Sequence, residues 1–310
     1  MQSTGAYTLE MNLISPSVLA FLLVLPSALA AQEAPSAATI MARVAANQNA
    51  SEAERDHYVY IQHARVTSHK GSKIMCEEVT NARVTPVDKR SQQQLLKLDG
   101  RYLLKGKYVT YTKLPEFAKK RDTSGDGDVS ISVGDEDSDR NLVENMRQNL
   151  FNDKSKDGIG AGLFPLTSKV QAQEDFHLAG RERMNGRDVF HITFMPKDKA
   201  DFGWKGDAYI DSTAFQPVLV RTKMSRSVPF AVRTLLGTNV PGLGFTVIYA
   251  PQGDGVWFPV SFGTEFKIKL FFFYSREITI AAENRSFEKT HVTSNIVEAG
   301  TEAPATATPK

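Results

Sequence analysis

The spacing of apolar positions changes period several times along the chain. Residues 36–48 place Ile40, Met41 and Val44 on one stripe behind Ser36, a residue type that caps helix starts, and this predicts a helix. Strand signals then take over. Residues 57–67 are rich in Tyr, Val and Ile, and a second strand follows a turn at Lys70-Gly71. Residues 95–98 and 101–104 flank Asp99-Gly100, a dipeptide that tolerates the positive φ of a tight hairpin, so a turn is expected there. Residues 113–140 interrupt the pattern with little apolar content and a run of Asp, Glu, Ser and Gly, which predicts a mobile acidic loop. A helix follows over 141–151, capped by Asp139, with Leu142, Met146 and Leu150 on its apolar stripe.

Strands resume from 176 to 291. Asn185-Gly186 is a strong short-range hairpin signal, and with those residues as the turn Met184 faces Arg187. Strict alternation then puts Phe190, Ile192 and Phe194 on the face of Ala179 and His177, with His191 pointing the other way. Further strands are predicted at 205–211, 217–224, 243–250, 256–263, 266–275 and 277–292. About a dozen strands with two or three helices make a mainly β, α+β fold. The segment 266–274 reads as apolar on both faces: Ile268, Leu270 and Phe272 alternate with Lys267, Lys269, Phe271 and Phe273. A sheet of that kind needs cover, and the two amphipathic helices are the candidates for one face.

The two ends of the chain stand apart from this body. Residues 18–25 are apolar and are followed by Ala28-Leu29-Ala30, which reads as a cleavable export signal over residues 1–31. No Lys or Arg precedes the apolar stretch, and it falls short of the roughly 20 residues a membrane span needs. No stable membrane span is expected in the mature chain. Residues 32–297 are expected to form one domain, and 298–310, mostly Ala, Thr, Pro and Glu, a disordered tail. Cys76 is the single cysteine, so no internal disulfide can form. The net charge of +2 gives no field for holding nucleic acid, and basic residues are spread along the chain.

Asp122, Ser124, Asp126, Gly127 and Asp128 fall where a calcium loop places early ligands, but its twelfth position is Val133 rather than a carboxylate. His57 and His63, on one strand, lie about 20 Å apart at about 3.3 Å per residue, and His177 and His191 fall on opposite faces of the predicted hairpin. No metal site and no cofactor is expected. No Gly-x-Ser-x-Gly elbow is present, Cys76 sits in a predicted strand, and the Ser-x-x-Lys match at Ser286 to Lys289 lies in a strand rather than a helix. Gly158, Gly160 and Gly162 lack the Lys-Ser or Lys-Thr of a phosphate cradle, and with Gly237, Gly242 and Gly244 are read as allowing tight connections. No catalytic residues emerge, and an enzyme is not expected.

The run Trp204-Lys205-Gly206-Asp207-Ala208-Tyr209-Ile210-Asp211, followed by Phe215-Gln216-Pro217-Val218, resembles a recurring pattern of the LolA/LolB-like superfamily of outer-membrane lipoprotein-sorting proteins. Gly255-Val256-Trp257-Phe258-Pro259 and Asn284-Arg285-Ser286-Phe287 are similar to that family's strand entry and closing strand. Among its members the chain looks like acidobacterial secreted proteins. The resemblance implies a long antiparallel sheet curled into an incomplete barrel, with a few helices covering its mouth over an apolar cavity for acyl chains. It further implies a soluble periplasmic carrier of lipid or lipoprotein acyl chains. A non-catalytic envelope sensor or scaffold, binding an envelope protein with a filled core, is the alternative.

Alternation selects the candidate lining. Phe190, Ile192 and Phe194 come from the hairpin, Val218 and Val220 from the next strand pair, and Phe245, Val247 and Tyr249 from the strand at 243–250. Val260 and Phe262, then Ile268, Leu270 and Phe272, complete the set.

Overall fold

The computed structural model describes residues 35–87, 90–114, 137–150, 166–198, 203–225, 238–239, 243–270 and 274–290. They belong to one compact unit beginning at Pro35. The predicted signal, the tail, the calcium-like stretch 122–133, the glycines at 158, 160, 162, 237 and 242, and Phe272 lie outside the described residues.

Helix α1 spans Ala37–Arg55, and the Ser36 hydroxyl accepts from the Thr39 backbone N–H at 3.2 Å as its N-cap. The helix runs seven residues beyond the predicted end at 48 because the stripe continues in polar residues. Gln48, Ser51 and Arg55 are buried and matched: Gln48 donates to Gln216 at 2.5 Å, Gln216 to Ser51 at 2.9 Å, and Arg55 to the Trp257 carbonyl at 3.0 Å. Polar residues with such partners can hold a buried position that periodicity assigns to water.

Strands β1 (Tyr58–Lys70), β2 (Lys73–Val87), β3 (Arg90–Leu104) and β4 (Lys107–Tyr111) form an amino-terminal meander. Helix α2 (Ser138–Leu150) and the short α3 (Ser168–Gln171) lead into β5 (Glu174–Met184), β6 (Arg187–Pro196), β7 (Trp204–Asp211) and β8 (Pro217–Met224). Then come β9 (Thr238–Asn239), β10 (Gly244–Pro251), β11 (Trp257–Leu270) and β12 (Tyr274–Lys289). The order across the sheet is β4-β3-β2-β1-β12-β11-β10-β8-β7-β6-β5, with β9 beside β11 and every pair antiparallel. Among the described residues β4 and β5 do not pair with each other, so the mainly β sheet is open, a curled and incomplete barrel.

Several local expectations are corrected. No turn forms at Asp99-Gly100: β3 runs straight through it, and the hairpin turns at Lys105 and Gly106, with φ of 48° and 83°. Gly100 is needed for space, because a Cβ there would come within 2.2 Å of the Tyr111 ring on the neighbouring strand. The Asn185-Gly186 turn does form, with φ of 49° and 80° and Met184 opposite Arg187. Beyond it a bulge between Leu178 and Gly180 shifts the register, so Phe176 and Leu178 share the face of Phe194 and Ile192, while Ala179 and His177 are exposed on the other. His177 therefore falls on the same face as His191. The expected strands at 256–263 and 266–275 are one strand as far as Leu270, continuous through Thr264 and Glu265. Ser138 to Arg140, assigned to the acidic loop, form the first turn of α2, and the Asp139 carboxylate reaches across to the sheet instead of capping the helix.

Gly206 and Gly244 mark another close approach. A Cβ at Gly206 would lie 1.8 Å from the Arg221 carbonyl oxygen, and one at Gly244 would lie 2.4 Å from that of Thr222. At Gly244 the tight contact is thus between strands rather than within a connection.

Candidate functional site: the helix-covered face of the sheet

Register places one residue from each of nine strands in a single row: Ile192, Ala208, Val220, Val247, Phe262, Ala282, Ala64, Thr80 and Leu98. All nine are buried, and only Thr80 is polar. The adjacent row on the same face runs Phe194, Gly206, Thr222, Phe245, Thr264, Ile280, Val66 and then Glu78, Gly100 and Tyr111. An apolar floor thus crosses most of the sheet and ends in a polar group beneath β4.

The opposite face is built differently. Its row of His191, Tyr209, Leu219, Ile248, Ser261, Glu283, His63, Asn81 and Lys97 is largely polar or exposed. The sheet is therefore apolar on one side over most of its described area; Phe271 and Phe273, on which the doubly apolar reading of 266–274 rests, lie outside the described residues. On β11, Lys267 is exposed and pairs with Glu277 at 3.2 Å. His191 stacks on Tyr209 with ring centroids 4.5 Å apart, and its two ring nitrogens face Glu182 and Asp207, each at 2.8 Å. Those carboxylates lie at opposite edges of the ring and do not converge. Among the described residues no group of three or more His, Cys, Asp or Glu is arranged to hold a metal ion.

Two helices lie on the apolar side. The stripe of Ile40, Met41 and Val44 on α1 joins the same buried cluster as Ile192, Val220 and Val247. Asn47 fixes the helix by donating to the Ala214 and Phe215 carbonyls at 2.8 and 3.2 Å, in the β7-β8 turn. That turn is ordered by Asp211, whose Oδ1 accepts from the backbone N–H of Thr213 and Ala214 while Arg187 donates to Oδ2 at 3.1 Å. Burial opposes ionisation of Asp211, but these donors outweigh it and hold the carboxyl below its usual range.

Helix α2 covers β1 and β2. Asp139 accepts from Arg276 at 2.5 and 2.8 Å and from Ser68 at 2.9 Å, while Arg147 reaches from α2 to Glu78. Tyr111 donates to Glu78 at 2.6 Å, and the Cys76 thiol lies 3.6 Å from the same hydroxyl. Burial pushes the Cys76 thiol and the Tyr111 and Tyr274 hydroxyls upward, so all three stay protonated. Sequence reasoning missed this polar group. The available signal was a carboxylate, Glu78, at the inward parity of a strand whose neighbouring inward positions are Cys76, Thr80 and Ala82.

The fold is similar to that of several solved structures at low identity. A DUF1329 family protein from Desulfovibrio piger aligns at 10% identity and a TM-score of 0.38, over 82% of this chain and 94% of its own. A putative outer membrane lipoprotein-sorting protein domain from Vibrio parahaemolyticus aligns at 12% identity and 0.34, over 82% and 96%. A LolA superfamily protein from Nitrosomonas europaea aligns at 8% and 0.32, over 84% and 96%. No family model matches the sequence, and no curated protein does.

Of the residues selected by alternation, Ile192, Phe194, Val220, Phe245, Val247, Phe262 and Ile268 share the helix-covered face by direct register. Phe190 is buried two residues along from Ile192 and meets Phe215 at 5.8 Å between ring centroids, beneath Arg43 of α1. Val218 and Val260 are the extra residues of two bulges, the first buried and the second half-buried, and Tyr249 is buried beside the latter. Leu270 pairs with Tyr274 at the end of β11.

Proposed function

We propose that the helix-covered face receives acyl chains of a lipid or lipoprotein, and that the protein is a periplasmic carrier or binding protein with no catalytic step. The carrying observation is the apolar row across nine strands, in which the small side chains Ala208, Val220 and Val247 lie on one side of Phe262 and Ala282 and Ala64 on the other. Eleven strands at about 4.8 Å spacing give a sheet about 48 Å across. Two helices, each about 10–12 Å in diameter, cover about half of that width. In this reading an apolar guest lies over those small residues, and each methylene buried there contributes about 0.8 kcal/mol. No described helix is long and apolar enough to cross a membrane. The sequence motifs described above point to the same class of cargo.

Native mass spectrometry of protein purified from a periplasm without detergent tests the reading, together with uptake of a fluorescent fatty acid. A reproducible acyl-bearing adduct is expected. Ile192→Glu and Val247→Glu, each placing a charge in the row, are expected to cut uptake by about tenfold or more in folded protein. Unchanged uptake by both folded variants would remove these residues from the site.

A second reading is favoured by the depth of burial of Ile192, Val220 and Val247, each at 0% exposure. In it the face is a filled core, and the protein binds an envelope protein as a sensor or scaffold. A clean apo mass with no probe uptake would select it.

A further inference from the structure

Two carboxyl groups and one guanidinium are sealed between α2 and the sheet at the polar end of the apolar face. Glu78 of β2 is 1% exposed and Glu144 of α2 is 0% exposed. Arg147 lies between them, its Nε 3.4 Å from Glu78 Oε2 and 3.3 Å from Glu144 Oε2, and its Nη2 also bonds Glu144. Gln148 donates to Glu144 at 2.8 Å, and Tyr111 of β4 donates to Glu78 Oε1. The surrounding charged and titratable groups are engaged elsewhere. Asp139 of α2 is held by Arg276 of β12 and Ser68 of β1, with the Tyr274 hydroxyl at 3.5 Å. Arg140 of α2 lays its guanidinium over the Tyr111 ring at 4.1 Å and the Tyr102 ring of β3 at 5.6 Å, and Cys76 keeps its proton.

One guanidinium therefore serves two buried carboxyls. If both were ionised, the site would hold an uncompensated negative charge in a low-dielectric environment, which is strongly disfavoured. Glu78 Oε2 has no hydrogen-bond partner among the described residues and meets the Arg147 guanidinium only at 3.4 Å, so its charge would be weakly compensated. We propose that α2 is a proton-linked latch: it docks on the sheet when the pair of Glu78 and Glu144 carries one shared proton, and it loosens when that proton is lost. Burial, and then the Glu144 charge, push Glu78 up to about 8, so the transition falls in mildly alkaline solution. The latch goes beyond the function proposed above and does not depend on what the apolar face binds.

Hydrogen–deuterium exchange of the full chain, without added ligand, tests it through the amides of α2 at pH 6, 7, 8 and 9, each normalised to intrinsic exchange. Linkage predicts that protection of α2 falls about tenfold from pH 7 to 9, while Glu144→Gln, with one carboxylate per guanidinium, stays within about twofold. Peptides from β6 to β8 serve as the control: they report the global stability, and at pH 9 α2 is expected to exchange well above that limit. Constant α2 protection in the wild type would overturn the latch, as would a full wild-type drop in the variant or α2 exchange at pH 9 no faster than that of β6 to β8. Glu78→Gln, expected to behave as Glu144→Gln does, decides the matter if the latter does not fold. Because the readout is helix exchange, a failure of lipid uptake and a failure of the latch are seen separately.

Discussion

Gly100 shows how one residue can answer to a neighbour rather than to its own backbone. The Tyr111 ring occupies the space where a Cβ would sit, and its hydroxyl passes on to Glu78. Gly100→Ala is expected to destabilise the protein by roughly 1–3 kcal/mol, because the ring must move and loosen its hydrogen bond. An unchanged urea midpoint would show that the ring shifts at no cost. In sequence, Asp99-Gly100 and Asn185-Gly186 looked alike, and only the second is a turn. The latter acts locally, through two positive φ angles, and was legible. The former acts through a ring on another strand, which no local pattern contains.

Elements were legible where their buried side is apolar and obscured where it is polar. Strand count, antiparallel meanders and the start of α1 follow from period and capping, yet α1 runs on through Gln48, Ser51 and Arg55, buried against partners from β8 and β11 or the turns beside them. The β5 bulge was equally hidden, and it moved His177 to the face of His191. Most of the alternation-selected lining residues nevertheless share one face, because alternation from β6 through β11 was broken only at its bulges. On α2, Arg147 is a second polar tie to the sheet beside Asp139. Arg147→Met is expected to cost roughly 3–5 kcal/mol at pH 8, since it strands two carboxyls, and less at pH 5, where a second proton can neutralise them. Thermal melts at both values check this; an equal loss at the two would mean that the guanidinium contributes through packing alone.

For the whole molecule, the Glu78 and Asp211 carboxyls act on stability in opposite directions. Between its ordinary value of 4.5 and about 8, Glu78 holds in the folded state a proton that the unfolded chain has released, so stability falls as pH rises through that window. The limiting slope for one such proton is about 1.4 kcal/mol per pH unit. Asp211, held below its ordinary value of 3.8, contributes stability that is lost only as the solution becomes strongly acidic. The melting temperature is therefore expected to be higher at pH 5.5 than at pH 8.5. A higher value at pH 8.5 would contradict the assignment of a buried proton to the Glu78 site.

The seam between β1 and β12 gives assembly a clock. Gln62 and Asn284, which bond across it at 3.1 Å, are 222 positions apart. The meander of β1 to β4 can form early, but the free side of β1 then faces outward until the last strand arrives, and β11 waits for the same partner. Neither half of the sheet can stop recruiting strands until residues 274–289 have been made. A chain released before that point would carry a bare edge at what should be the middle of its sheet.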